Sequence, residues 1–162
     1  MPIYMEISRL HRLVTIVARG KIAPDEIRGM AQQLIESQVR SFAKILEVAG
    51  ATTEFTLEQI MRLAEMMRGA SSEKRGPIAF VVSSERTAFP QAFANHTEGD
   101  GPIRLFTSLR EARTWVEHVQ RGGDPGAAND GQGTWSADPN RQGVMFRGAR
   151  RRGVPVRSLN AA

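Results

Sequence analysis

The sequence contains no cysteine, only three histidines and no long apolar run. The lack of cysteine excludes disulfides, thiolate catalysis and zinc sites with sulfur ligands. The histidines, His11, His96 and His118, do not have the spacing of metal ligands in any pair. The longest apolar run, residues 78–82, is far too short to cross a bilayer, so no transmembrane segment is predicted. The residue pattern therefore indicates no catalytic or metal site, and no cofactor is expected.

The composition is that of an ordinary soluble globular protein. Hydrophobic residues make up 41 % and charged residues 24 % of the 162 residues. The N-terminal residues alternate between apolar and polar, without the basic region and apolar stretch of a secretory signal. We therefore expect one domain with its own core and a cytoplasmic location.

The net charge of +5 is concentrated at the C-terminal end. Residues 1–120 contain 15 Lys and Arg against 14 Asp and Glu, whereas residues 121–162 contain 7 Arg against 3 Asp. The end of the chain is rich in glycine and arginine and shows no sustained periodicity, which predicts a folded domain at 1–121 and a disordered basic tail at 122–162. Nucleic acid or an anionic surface is thus a predicted partner only through the tail.

Hydrophobic periodicity predicts nine elements in the order β-β-α-β-α-β-α-β-α. The predicted strands are residues 3–8, 13–18, 44–48, 78–83 and 103–106, and the predicted helices are 24–35, 57–68, a segment within 87–97, and 109–119. Helices that connect strands indicate right-handed crossovers and a mostly parallel sheet, to which the N-terminal hairpin adds an antiparallel strand. The pattern does not decide whether the helices cover one face of the sheet or both.

Two helix starts have the spacing of a capping box. Thr56 and Gln59 precede one amphipathic helix, and Ser108 and Glu111 precede another. In each pair the hydroxyl of the first residue would accept a hydrogen bond from the backbone N–H of the second. The longer side chain of the second residue would accept one from the backbone N–H of the first.

Several segments resemble one known superfamily. Arg12-Leu-Val-Thr-Ile-Val-Ala-Arg-Gly-Lys-Ile-Ala-Pro-Asp-Glu-Ile27 supplies a strand, a glycine turn and a helix start, and Ile45-Leu-Glu-Val48 supplies a central strand. With residues 80–83 and 103–119, they resemble the STAS superfamily, which includes the bacterial anti-anti-sigma factors. The resemblance spans roughly residues 1–120 and implies a STAS-like, non-enzymatic regulatory or binding module.

The helix start after the central strand departs from the anti-anti-sigma pattern. Those factors have an Asp-Ser-Ser-Gly-like motif there, and a partner kinase phosphorylates its first serine. This chain has Phe55-Thr56-Leu57-Glu58, so Thr56 falls on the phosphorylatable position without the rest of the motif. A phospho-switched regulator is therefore one alternative. A looser branch, related to CRAL-TRIO lipid-binding domains, implies instead a small apolar ligand or a regulatory protein partner; a homodimer is left open.

The predicted binding region surrounds the loop after the central strand. We expect residues 50–54 to form a loop whose hydroxyls lie beside the loop at 83–86, because both follow strands at one edge of the sheet. Methionines of the next helix suit an adaptable apolar surface. The alternatives are that Thr56 is only an N-cap, that 83–86 is a solvated loop and that the apolar residues are core. The candidate residues are Thr52, Thr53, Thr56, Met61, Met66, Ser83, Ser84, Arg86, Phe89 and Phe93.

Overall fold

A computed structural model describes residues 2–69 and 72–127 of the chain. These residues form five strands and four helices in the predicted order. The strands are β1 (Ile3–Ser8), β2 (Leu13–Ile22), β3 (Ala43–Thr53), β4 (Ile78–Val81) and β5 (Ile103–Phe106). The helices are α1 (Pro24–Glu36), α2 (Leu57–Arg68), α3 (Ala88–His96) and α4 (Leu109–Gln120).

The five strands form one sheet in the order β1-β2-β3-β4-β5. β1 and β2 are antiparallel, and the remaining neighbours are parallel, which confirms the predicted mixed, mostly parallel sheet. Each crossover steps in the same direction across the sheet. Right-handed crossovers of that kind place their helices on one face, and α4, after which residues 121–127 contain no further strand, covers the other. The helices are thus divided three to one between the faces.

The two faces have separate cores. On the face covered by α1, α2 and α3, buried strand residues such as Phe80 and Leu105 pack with Ala31, Leu63 and Phe93 of the helices. The opposite face packs against α4 through its buried Ala112, Trp115 and Val116; the strand residues there are Ala43, Ile45, Ala79, Val81 and Phe106. Successive residues of a strand point to opposite faces, so each inner strand contributes to both cores.

Two strands extend beyond their predicted ends. β3 continues to Thr53, and its last residues pair with β2 from Arg19↔Gly50 to Ile22↔Thr53. The prediction of a loop at residues 50–54 was therefore wrong for 50–53. Glycine marked this segment as a turn, but pairing with β2 satisfies the backbone and threonine is a good strand former.

A β-bulge in β3 sets which side chains of this extension face the three helices. Between the paired positions Val17↔Glu47 and Arg19↔Gly50, β3 has two residues and β2 has one. The extra residue shifts the alternation of side chains by one position. As a result Ala51 and Thr53 lie on the same face as Val48, with Ile22 paired directly beside Thr53.

The two predicted capping boxes have different outcomes. At the start of α2, the Gln59 backbone N–H donates to Thr56 Oγ1 at 3.2 Å, and the Thr56 N–H donates to Gln59 Oε1 at 2.9 Å. That box is confirmed. The box at α4 was wrong, because the Ser108 side chain makes no capping hydrogen bond. Glu111 Oε2 is buried there and has no hydrogen-bond partner among the described residues.

Candidate functional site

A cavity of about 370 Å³ lies between the sheet and the three helices that cover it. Strands β2, β3 and β4 form its floor, and α1, α2 and α3 form its roof. Most of its wall is aliphatic or aromatic; the apolar residues include Ile16, Ala18, Ile22, Ile27, Met30, Ala31, Leu34, Leu46, Val48, Ala51, Leu63, Met67, Ile78, Phe80, Phe89 and Phe93.

Small side chains in the wall leave this space open. Ala18 of β2, Ala31 of α1 and Ala51 of β3 all line the cavity. The bulge contributes as well, because without its extra residue Ala51 would face away from the helices. A longer aliphatic residue at any of these three positions would occupy part of the volume.

A chain of aromatic rings runs along the α3 side of the cavity. Phe55 meets Phe89 edge to face with 5.4 Å between ring centroids, and Phe89 stacks on Phe93 at 6.3 Å. Phe93 in turn meets Phe80 of the sheet edge to face at 6.2 Å. These contacts tie α3 to the loop before α2 and to β4.

Polar groups lie where β3 and β4 end, and we call this end of the cavity the mouth. It consists of Thr52 and Thr53 at the end of β3, Glu85 and Arg86 in the β4–α3 connection, and the first turn of α3. Arg86 is exposed, and its backbone N–H donates to the Ser83 carbonyl at 3.1 Å. Thr53 Oγ1 is buried and has no hydrogen-bond partner among the described residues. The mouth therefore combines two exposed charges with an unpaired hydroxyl.

The other end of the cavity contains a buried lysine. Lys44 is 2 % exposed, and its Nζ donates to the carbonyl oxygens of Val39, Arg40 and Phe42 at 3.0, 2.9 and 2.8 Å. Burial, together with the positive charges of Arg75 and Arg40, lowers the pKa of Lys44 to about 7. All three ammonium donors are used by the backbone, so this side chain holds the α1–β3 connection in place.

The sequence pattern alone predicts Lys44 only as the first residue of a strand. Its position carries a usable signal, because Lys44, Leu46 and Val48 alternate along β3 and must share a face. A lysine in phase with two core residues is rarely left unpaired. The backbone acceptors that bind it, however, depend on how the preceding connection folds.

The structure brings together half of the residues predicted for the site. Thr52, Thr53, Arg86, Phe89 and Phe93 line the cavity. The other five lie outside its wall: Thr56, Met61 and Ser84 are exposed, Met66 packs half-buried against the core, and Ser83 is half-buried. Ser83 Oγ has no hydrogen-bond partner among the described residues, but it does not line the cavity.

The first residues of the predicted tail lie against the domain. Trp115 Nε1 donates to the Pro125 carbonyl at 3.1 Å, and Arg104, which is buried, donates to the Ala127 carbonyl at 3.0 Å. Residues 128–162, which contain most of the arginines behind the predicted nucleic-acid contact, lie outside the described residues.

The described residues contain neither a cluster of metal-binding side chains nor a membrane-spanning helix. In residues 2–69 and 72–127, no three His, Asp or Glu side chains come close enough together to hold a metal ion. Across the same ranges, no helix has both the length and the apolar character needed to cross a membrane.

Comparison with known proteins agrees with this architecture. The family model described as SpoIIAA-like matches residues 13–117. A crystal structure of an uncharacterized protein of the DUF3478 family from Shewanella loihica PV-4, described as having a SpoIIAA-like fold, is 16 % identical. The match has a TM-score of 0.51 and covers 70 % of this chain and 93 % of that one, so the likeness shows the fold alone. The search of curated proteins found no match. The chain therefore belongs to the SpoIIAA-like family and is a STAS-type regulatory module, as the resemblance in its sequence predicts.

Proposed function

We propose that this domain is a non-enzymatic module that binds a small apolar ligand in the cavity beneath α1, α2 and α3. The observation that carries the proposal is the cavity itself, with its volume of about 370 Å³ and its mainly apolar wall. Ligand pockets in proteins typically enclose about 300–1,000 Å³ and combine apolar walls with a few polar groups. This cavity matches the lower part of that range, which suits one small molecule.

Binding would be driven by contact with the cavity wall. An apolar ligand removes hydrocarbon surface from water and supplies dispersion contacts to side chains that face open space. Met30 and Met67 contribute flexible thioethers, which adapt to varied ligand shapes. Phe80, Phe89 and Phe93 line the cavity and add flat surfaces at the α3 side.

The polar residues of the cavity support binding rather than catalysis. Catalysis by a nucleophile needs a base within hydrogen-bond reach of it. Lys44 has all three donors on carbonyl oxygens, and Thr53 Oγ1 has no partner among the residues that the structure describes. In the described part of the cavity, neither side chain is therefore paired with a base.

Filling the cavity tests the proposal. Native mass spectrometry of the full chain purified from its own host should show a non-covalent adduct that disappears on denaturation. Ala31→Leu adds three carbons inside the cavity and should reduce the adduct at least tenfold. Gln33→Leu adds a leucine at an exposed position of the same helix and should leave it unchanged. A bare wild-type chain, or an adduct that persists equally in both variants, would contradict the proposal.

The surface of α2 favours a second function, the binding of a regulatory protein partner. Leu57 and Met61, one turn apart, are 58 % and 40 % exposed, and Thr56 is exposed beside them. Exposed apolar side chains next to a hydroxyl at a helix start would suit a partner surface that phosphorylation could alter. Thr56→Ala and Thr56→Glu test the switch: different affinities for the physiological partner would support it, and equal affinities would exclude it.

A further inference from the structure

We propose that the ligand is an amphiphile with an anionic carboxylate or phosphate head, which Arg86 binds at the mouth while the apolar chain lies inside the cavity. This inference rests on the proposed function, because it specifies the ligand class of the same cavity. Four features of the mouth and of the opposite end of the cavity support it.

The first feature is the availability of Arg86. Its side chain makes no hydrogen bond or ion pair with any described residue, although it lines the cavity. Two cationic side chains of β2 are already in ion pairs. Lys21 pairs with Glu54 at 3.0 Å, and Arg19 pairs with Glu47 at 2.7 Å. A guanidinium is well suited to carboxylate and phosphate groups, which it binds with two parallel hydrogen bonds.

The second feature is the hydroxyl of Thr53. Its Oγ1 is shielded from water and unpaired among the described residues, which carries a desolvation cost. The pairing of Thr53 with Ile22, which also lines the cavity, places it on the cavity face of β3. A head-group oxygen that reaches Oγ1 as the mouth adjusts would accept its hydrogen bond.

The third feature is the charge balance of the mouth. Glu85 lies beside Arg86 and would repel an anion. The first turn of α3, however, also lines the mouth, contains no acidic residue, and follows Thr87, whose side chain makes no capping hydrogen bond. The positive end of this helix therefore adds to Arg86, and together they favour an anionic head over a cationic one.

The fourth feature fixes the orientation of the ligand. Lys44, at the end of the cavity opposite the mouth, has no donor left for a head group, because Val39, Arg40 and Phe42 accept from its ammonium. Only its aliphatic stem is suited to contact the ligand. The apolar end of the ligand should accordingly point to Lys44 and the anionic head to Arg86.

A head-group series tests the inference on the purified full-length chain. Dodecanoate, dodecyl phosphate, dodecanol and dodecylamine share one chain length and differ in charge. Calorimetry below the micelle concentrations of the charged compounds and below the solubility limit of dodecanol gives the four affinities. We expect both anions to bind about tenfold more tightly than dodecanol, as expected for one charge-assisted contact at an exposed site, and dodecylamine to bind most weakly. The tighter of the two anions distinguishes a carboxylate from a phosphate ligand.

Three variants assign the preference to the mouth. Arg86→Gln should remove the advantage of the anions over dodecanol, Arg86→Lys should retain part of it, and Glu85→Gln should strengthen anion binding a few-fold. Arg113→Gln, an exposed arginine on α4 at the opposite face, is the control and should change nothing. Dodecanol binding should be the same in all of them, which also verifies that each variant is folded.

The outcomes separate this inference from the proposed function. If dodecanol binds as tightly as the anions and Arg86→Gln leaves the series unchanged, the anionic head is wrong although an apolar ligand still binds. If dodecylamine binds best and Glu85→Gln weakens it, the head group is a cation. If none of the four compounds binds, the proposed apolar ligand is contradicted as well.

Discussion

The two faces of the sheet differ in how completely they are packed. On the α4 face, strand and helix side chains meet directly, and Trp115 lies 5.7 Å from Phe106 between ring centroids. On the other face, three helices cover the same strands but enclose a cavity of about 370 Å³. In β3, Ile45 belongs to the first face and Leu46 to the second. One sheet thus packs directly against α4 on one side and borders an open cavity on the other.

The alanines of the two faces have different surroundings. On the α4 face, the alanines at 43, 79 and 112 are compensated by Phe106 and Trp115. Around the cavity, Ala18, Ala31 and Ala51 line an open volume instead. The two faces therefore differ in whether their small residues lie beside large rings or beside open volume, and the variants below are chosen to test that distinction.

Removal of a large aromatic side chain from each face should give the largest difference between the two faces in the free energy of unfolding that is lost. Trp115→Ala leaves a cavity in a closed core and removes the hydrogen bond to Pro125, so we expect a loss of about 3–5 kcal/mol in the free energy of unfolding. Phe89→Ala truncates a half-buried ring at the mouth and should cost roughly half as much or less. Urea denaturation measures both, and equal losses would show that the two faces are packed alike.

Addition of the same side chain to each face should give effects of different size. Ala112 and Ala31 are both buried alanines inside helices, so substitution by leucine differs only in the space that it meets. Ala112→Leu overpacks the α4 core and should destabilise the protein by about 1–3 kcal/mol. Ala31→Leu enters the cavity and should cost less than about 1 kcal/mol or stabilise. A larger loss for Ala31→Leu would contradict the cavity.

The buried cation beside the cavity should make stability depend on pH. The pKa of Lys44 is about 7 in the native state and has an ordinary value of 10.5. Between these values the unfolded chain binds more protons than the native chain. Stability should therefore rise with pH, by up to about 1.4 kcal/mol per pH unit for one such group, and level off below pH 7.

Two lysine variants isolate that pH dependence. Lys44→Met should remove this part of the slope, whereas the exposed Lys21→Met should retain it. Urea denaturation at several pH values between roughly 6 and 10 gives the slope of the unfolding free energy against pH for each variant. The expected difference corresponds to about one proton bound by the unfolded chain and not by the native one. Identical slopes for wild type and Lys44→Met would show that Lys44 titrates alike in both states.

Substitution of the helix caps on the two faces should give the smallest difference in the free energy of unfolding. Thr56→Ala removes the observed cap of α2 on the cavity side and should cost about 1 kcal/mol. Ser108→Ala at the start of α4 removes a side chain that makes no cap hydrogen bond, so its effect should stay within about 0.5 kcal/mol. Denaturation midpoints measure the pair, and a larger effect at Ser108 would contradict the assigned caps.

The sequence was sufficient for the fold because its signals were local. Alternating apolar residues in 3–8 and the helical stripe of 109–119 predicted β1 and α4 without reference to distant residues. The extension of β3 through Gly50 to Thr53 was missed, because it depends on pairing with β2, about thirty residues earlier.

The cavity was harder to predict than the fold because it is space that the surrounding side chains leave unfilled. Arg86 is a candidate because it follows a strand, and Phe89 and Phe93 because they lie four residues apart in the sequence; all three line the cavity. Ala18 and Ala31 are not candidates from the sequence. An alanine in an apolar stripe does not show whether its neighbours in the fold pack against it or leave a cavity. Packing between distant elements decides that, and no local pattern reports it.

The central claim is that an apolar ligand binds on the three-helix face, and methyl NMR of the full chain during titration with dodecanol tests it most directly. Dodecanol has no charge, so the result does not depend on the head-group inference. We expect the methyl resonances of Ile16, Ala31 and Leu63, which line the cavity, to shift on binding. Those of Ala79, Val81 and Val116 in the α4 core should stay in place. Equal shifts on both faces, or shifts confined to exposed Leu57 and Met61, would contradict the claim that the three-helix face holds the ligand.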